Sequence, residues 1–161
     1  METKFIQEDW VLICYDIPAK DRKLRHEFIR DAKQLGAIGH TDSVYLMPYS
    51  EKAMELASEL AIKGHAVVWR SKQEDKQKAI EITTSYDAAL KVRCDYLLQR
   101  LHIGSEHITG GHLKVALKMG VKTGKLVKEL AQISSSYCPK WFDKRIEEIF
   151  AKWKEIYGGC A

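Results

Sequence analysis

The chain predicts an α+β protein: a ferredoxin-like strand-helix-strand-strand-helix-strand unit, followed by an all-helical C-terminal extension. Three observations carry this. Trp10 to Cys14 is a short apolar run of residue types that suit a sheet interior. From there to Arg70, strand-like and helix-like periodicities alternate between clear stops. From Glu74 onward the period becomes helical and stays so. The expected division is therefore residues 1–73 and residues 74–161.

The first strand ends on a carboxylate, Asp16, and Pro18 stops its ladder because proline has no backbone donor. Asp21 to Leu35 follows as an amphipathic helix. Leu24, Phe28, Ala32 and Leu35 share a face, with Lys20, Arg22, Lys23, Arg25 and Arg30 turned away from it. Gly36 is its C-terminal stop. Ala37 to His40 and Ser43 to Pro48 read as two short strands around Thr41-Asp42. Ser50 caps a second helix, Glu51 to Lys63, whose buried stripe is Ala53, Leu56, Ala57, Leu60 and Ala61. Gly64 ends it, and His65 to Arg70 makes the fourth strand. Right-handed crossovers then bring the first and third strands together at the sheet centre, with both helices on one face. The other face needs a cover, from the rest of the chain or from a second copy.

In the second half, a helix from about Asp75 to Leu101 carries Ile82, Tyr86, Leu90, Leu97 and Leu101 near one stripe. Gly104 to Gly111 is expected to break it. A helical pattern from His112 to Ser134 follows, interrupted by Gly120 and Gly124. Ser134 to Ser136 and Pro139 make a loop. A last helix, Lys140 to Tyr157, presents Phe142, Ile146, Ile149, Phe150 and Trp153 as its apolar face.

Composition narrows the classes. A chain of 161 residues and 18.5 kDa, 45% apolar and 30% charged, is long enough for one medium domain or a small one with an appendage. No run approaches the roughly 20 apolar residues of a transmembrane helix. Met1 to Lys4 is charged and lacks the apolar core of a signal peptide, so a cytoplasmic location without membrane partners is expected. Cys14, Cys94, Cys138 and Cys160 form no CxxC pair and read as thiols. His102, His107 and His112 recur every five residues, which misses a common helical face, and no cysteine stands beside them at finger spacing. The net charge of +4 lies in the second half: residues 1–72 hold 11 basic and 11 acidic side chains, residues 73–161 hold 15 and 11. That half is where a polyanion would dock. No Ser-His-Asp or Cys-His nucleophile system, phosphate-binding loop or dinucleotide fingerprint occurs.

Two constellations remain. Asp16, on a rigid strand end, is a candidate metal ligand or catalytic carboxylate, with Arg22 and Arg25 on the next helix as phosphate contacts. Alternatively it caps the following turn or pairs with one of those arginines. A single carboxylate is too little for magnesium unless a symmetric dimer supplies a second. In the other constellation, Lys114, Lys118, Lys122 and Lys125 fall at spacings of four, four and three, with Lys128 next, which makes one basic stripe on a helix. A second reading of the same segment is a helix-turn-helix. Ala116, Gly120, Val121, Leu126 and Val127 sit near its pattern, while Glu129 stands where an apolar residue is wanted. The plain alternative for both basic groups is a solvated helix face.

Residues 10–70 also resemble known families. Tyr15-Asp16-Ile17, the basic first helix with Arg22 and Arg25, and Ser43-Val44-Tyr45 are similar to the small ferredoxin-fold nuclease-like proteins of CRISPR adaptation. Trp10-Val11-Leu12-Ile13, Ile17-Pro18-Ala19-Lys20, Leu24-Arg25, Leu35-Gly36-Ala37 and Val44-Tyr45-Leu46-Met47-Pro48 resemble the N-terminal domain of the chromate-resistance regulator ChrB. They also resemble the related domain of phenylacetate-operon repressors. The first resemblance implies a magnesium-dependent nuclease in which two protomers bring their copies of Asp16 together. The others imply a non-enzymatic, nucleic-acid-associated regulator. The leading expectation is such a regulator, homodimeric and bound to DNA or RNA. The alternatives are the nuclease and a protein-protein interaction module.

Overall fold

In a computed structural model of the chain, which describes residues 4–158, nine elements follow one another. They are β1 (Asp9–Tyr15), α1 (Arg22–Gln34), β2 (Ile38–Thr41), β3 (Val44–Pro48), α2 (Glu51–Gly64), β4 (Ala66–Lys72), α3 (Lys76–Thr109), α4 (Leu113–Ser134) and α5 (Lys140–Tyr157). Two compact units arise, residues 1–87 and residues 88–161, so the division falls inside α3. The last strand ends at Lys72, two residues beyond the expected Arg70, and the first turns of α3 cluster with the sheet. Cys160 lies outside the described residues.

The first unit is the expected split arrangement. Its sheet is antiparallel throughout, in the order β2-β3-β1-β4, with β1 and β3 central. Leu12 faces Leu46 on one side and Trp69 on the other. Alternation along the strands sorts the side chains. Val11, Ile13 and Tyr15 from β1 join Tyr45 and Met47 from β3, and these pack with Phe28 and Ala32 of α1 and Ala53, Ala57 and Leu60 of α2. Leu24, expected on the buried stripe of α1, is exposed.

Helix ends follow local chemistry. Ser50 Oγ accepts from Ala53 N at 2.9 Å, so α2 is capped as its sequence requires. Gly36 takes φ +94° after α1, the left-handed stop that favours glycine. At the end of α2 the expected stop moves by one residue. Gly64 remains helical and His65 takes the left-handed position, φ 51°. Gly64 serves packing instead of the stop: a Cβ there would run into the Phe28 ring.

The sheet's second face is covered at one end by α3. Trp10, 2% exposed, meets the Tyr86 ring edge-on at 5.5 Å, and Tyr86 donates its hydroxyl hydrogen to Gly36 O at 2.7 Å. Gln7 N donates to Thr83 Oγ1 at 3.0 Å. Toward the other end, Leu12, Cys14 and Val44 are only half-buried, and Val67 and Trp69 are 56% and 59% exposed. Of the two strand tryptophans, Trp10 is packed under a helix and Trp69 is not.

The second unit is helical. Leu90, Cys94, Leu97 and Leu101 of α3, Val127, Leu130 and Ile133 of α4, and Phe142, Ile146 and Ile149 of α5 are buried. Three expectations about the glycines and the last helix are corrected here. Gly104 does not break α3, which runs on to Thr109 and ends at Gly110-Gly111, where Gly111 has φ +78°. Neither Gly120 nor Gly124 interrupts α4. A Cβ on Gly120 would stand 2.7 Å from the Tyr157 ring, and one on Gly124 would stand 2.9 Å from Trp153. These glycines are notches that let two aromatic rings of α5 lie against a helix backbone. Phe150, expected on the buried face of α5, is exposed, and Tyr157 takes a buried place instead.

Candidate functional site

α4 is an unbroken amphipathic helix, so the helix-turn-helix reading is overturned: Gly120 makes no turn. Glu129, the residue that misfits that pattern, accounts for itself by pairing with Arg93 Nη2 at 3.5 Å in a largely buried position. Ala116, Gly120, Thr123, Val127 and Leu130 form its buried side. Thr123 is held there by donating to Met119 O at 2.8 Å and accepting from Arg100 Nε at 3.3 Å.

At 100° per residue, the five lysines of α4 occupy an arc of about 120° on the opposite side, over about 21 Å of helix axis. Lys114, Lys118, Lys122, Lys125 and Lys128 are all exposed, and among the described residues none makes an ion pair or a hydrogen bond. Beside them Leu113, Leu117 and Val121 form an exposed aliphatic row, with Val121 77% exposed. The structure therefore brings the five predicted lysines together as a single row of unneutralised charge.

The strand-end constellation is different. Asp16 follows the last residue of β1 and is exposed. It does not cap α1, whose N-terminal residue Asp21 makes no side-chain capping bond. Among the described residues it pairs with neither Arg22 nor Arg25, so both structural roles expected for it are absent. Arg22 is exposed, whereas half-buried Arg25 places its guanidinium 5.9 Å from the centre of the Tyr15 ring. Tyr15 donates its hydroxyl hydrogen to Asp42 O at 2.7 Å, and its ring lies 5.9 Å from that of Tyr45. Burial pushes the Tyr45 hydroxyl above its usual pKa, assisted by Tyr15 and opposed by Arg25. Tyr15 and Tyr45 are thus packing residues, as their apolar runs imply. Among the described residues no group of three His, Cys, Asp or Glu side chains converges. Asp16 alone does not fit a magnesium site within one chain. The histidines pair locally: His102 Nε2 lies 3.4 Å from Glu106 Oε1, and the His107 and His112 rings meet edge-on at 6.0 Å.

One feature that spacing does not reveal is a shallow groove in the second unit, between Arg93, Tyr96, Leu97, Leu126 and Leu130. Tyr96 is half-exposed there and accepts a hydrogen bond from Arg100 Nη1 at 3.2 Å. Its exposure depends on which α3 positions α4 leaves uncovered.

Comparison with known proteins accords with the first unit's fold. Residues 4–83 match the family model described as the PaaX protein central Cas2-like domain. This places that part of the chain in the Cas2-like ferredoxin-fold superfamily. No curated protein and no solved structure matches the chain. Among the described residues no helix is long and apolar enough to cross a membrane.

Proposed function

We propose that this protein is a nucleic-acid-associated regulator, acting as a homodimer, that holds a polyanion on α4 rather than cleaving it. The observation that carries the reading is the row of five exposed lysines with no acidic partner among the described residues. A solvated helix face ordinarily mixes charge signs, with acids three or four residues from the bases. Here the one acid within the arc, Glu129, is mostly buried and paired with Arg93, so the exposed charges of the arc are of one sign. The match of residues 4–83 to a domain of a PaaX protein supports a regulatory role, and the residue-level likeness to ChrB and to phenylacetate-operon repressors points the same way. Arg22, exposed and unpaired among the described residues, is a second phosphate contact. Arg25, drawn over Tyr15, is a weaker one.

The test is binding of labelled nucleic acid at low salt. Binding that weakens steeply as salt rises, and that falls with Lys118→Gln, Lys122→Gln and Lys125→Gln combined, supports the reading. Absence of binding at low salt sinks it.

The unpartnered carboxylate of Asp16 favours one second reading, a magnesium-dependent nuclease assembled from two chains. One carboxylate from each protomer would then hold the ion, and the metal would neutralise phosphate charge. Magnesium-dependent cleavage abolished by Asp16→Asn is its signature. Cleavage that survives the substitution removes Asp16 from the mechanism.

A further inference from the structure

Resting on the reading above, we infer that the α4 row takes double-stranded nucleic acid, held by its phosphates without regard to sequence. The side chains on the row carry the argument. Recognition of base edges needs bidentate or amide groups, such as Arg, Asn or Gln, reaching into a groove. From Lys114 to Lys128 the exposed side chains of the arc are lysines and aliphatics only. The single exposed amide on it, Gln132, lies one turn beyond the last lysine and could reach one base edge at most. Single strands are gripped chiefly by aromatic platforms on which bases stack. α4 has no aromatic residue at all. Tyr96 is the half-exposed ring in the groove that α4 helps to line, and its hydroxyl and ring are both engaged by Arg100, with the guanidinium 5.7 Å from the ring centre.

Shape points the same way. A helix presents its lysines in a straight, rigid line of about 21 Å. One strand of a duplex carries about six phosphates over that axial length, against five lysines. Both partners are stiff on this scale, so docking orders little more than the lysine side chains. A single strand would have to be straightened and held, with no stacking to offset the lost freedom.

The experiment uses the full chain and fluorescence anisotropy with four probes: two 20-base-pair DNA duplexes of unrelated sequence and their two single strands. The duplexes are expected to bind within about threefold of each other and at least tenfold more tightly than the strands. The slope of log affinity against log salt should be about −4.5 for one engaged row, from five neutralised phosphates. In the Lys118→Gln, Lys122→Gln, Lys125→Gln variant, whose fold is checked by circular dichroism, the slope should fall to about −2. Tyr96→Leu should change nothing. Equal or tighter binding of single strands, or weakening by Tyr96→Leu, overturns the duplex inference while leaving a nucleic-acid role standing. A tenfold preference between the duplexes overturns sequence independence. An unchanged slope in the folded triple variant removes the row as the site. Failure of every probe to bind at low salt defeats the underlying reading as well.

Discussion

Asp16 and Cys94 show how far one residue's role depends on its surroundings. Asp16 looks in sequence like a cap or an ion-pair partner, and among the described residues it is neither. Arg25 places its guanidinium over the Tyr15 ring instead, and Asp21 occupies the helix start without a side-chain cap. Cys94 looks like any cysteine, yet it is fully buried in the second unit, and burial chiefly pushes its thiol up to about 11, with Arg145 opposing. The sign follows from linkage. A raised folded pKa means that the unfolded chain loses this proton first, so stability present below about pH 9 drains away as pH rises toward 11. Wild type should therefore lose its advantage over Cys94→Ala between those values, read as the difference in urea midpoints. A constant difference would show that the thiol ionises alike in both states. Under native conditions at pH 8, alkylation should label exposed Cys138 and spare Cys94.

Among the elements, α2 and α4 make the sharpest predictions. Ser50→Ala removes the bond from Ala53 N and should cost about 1 kcal/mol in urea unfolding, with Ser50→Gly costing only a few tenths. Gly120→Ala distinguishes a turn from a notch. In a continuous helix alanine is intrinsically better than glycine by about 1 kcal/mol. Here its methyl would press on the Tyr157 ring at 2.7 Å, so net destabilisation of about 1–3 kcal/mol is expected. Pairing Gly120→Ala with Tyr157→Leu should recover part of that loss, because the obstructing ring is gone. A stabilised single variant would mean that the ring does not lie there. The same notch explains why glycines that read as helix breakers are housed inside helices. Their missing side chain is used by another element, which local sequence does not disclose.

For the molecule as a whole, the uncovered end of the sheet bears on assembly. Leu12 and Cys14 face Trp69 and Val67 across the β1–β4 ladder, and the two β4 residues are more than half-exposed. We expect a second copy to cover them. Light scattering should then give twice 18.5 kDa, and Trp69→Lys should give the monomer mass. A wild-type monomer removes both the homodimer and any paired Asp16 site. If the dimer forms and the α4 lysines act from both copies, nucleic-acid affinity should fall in Trp69→Lys as well, through loss of avidity.

Much of this protein is legible in its residues because the signals are local. The period of the apolar positions marks strands and helices, Ser50 and Gly36 mark their ends, and the order of elements leaves one sensible sheet. The lysine row is legible too, since spacings of three and four need only a helix to align them. Other properties required the folded chain, because they arise from residues far apart in sequence meeting in space. Phe28 fills the space beside Gly64, Tyr157 and Trp153 fill the notches of Gly120 and Gly124, and Arg93 gives Glu129 its partner. Local propensity sets which elements form. Packing between them determines where each one stops, which faces stay open to a partner, and which charges are left without one.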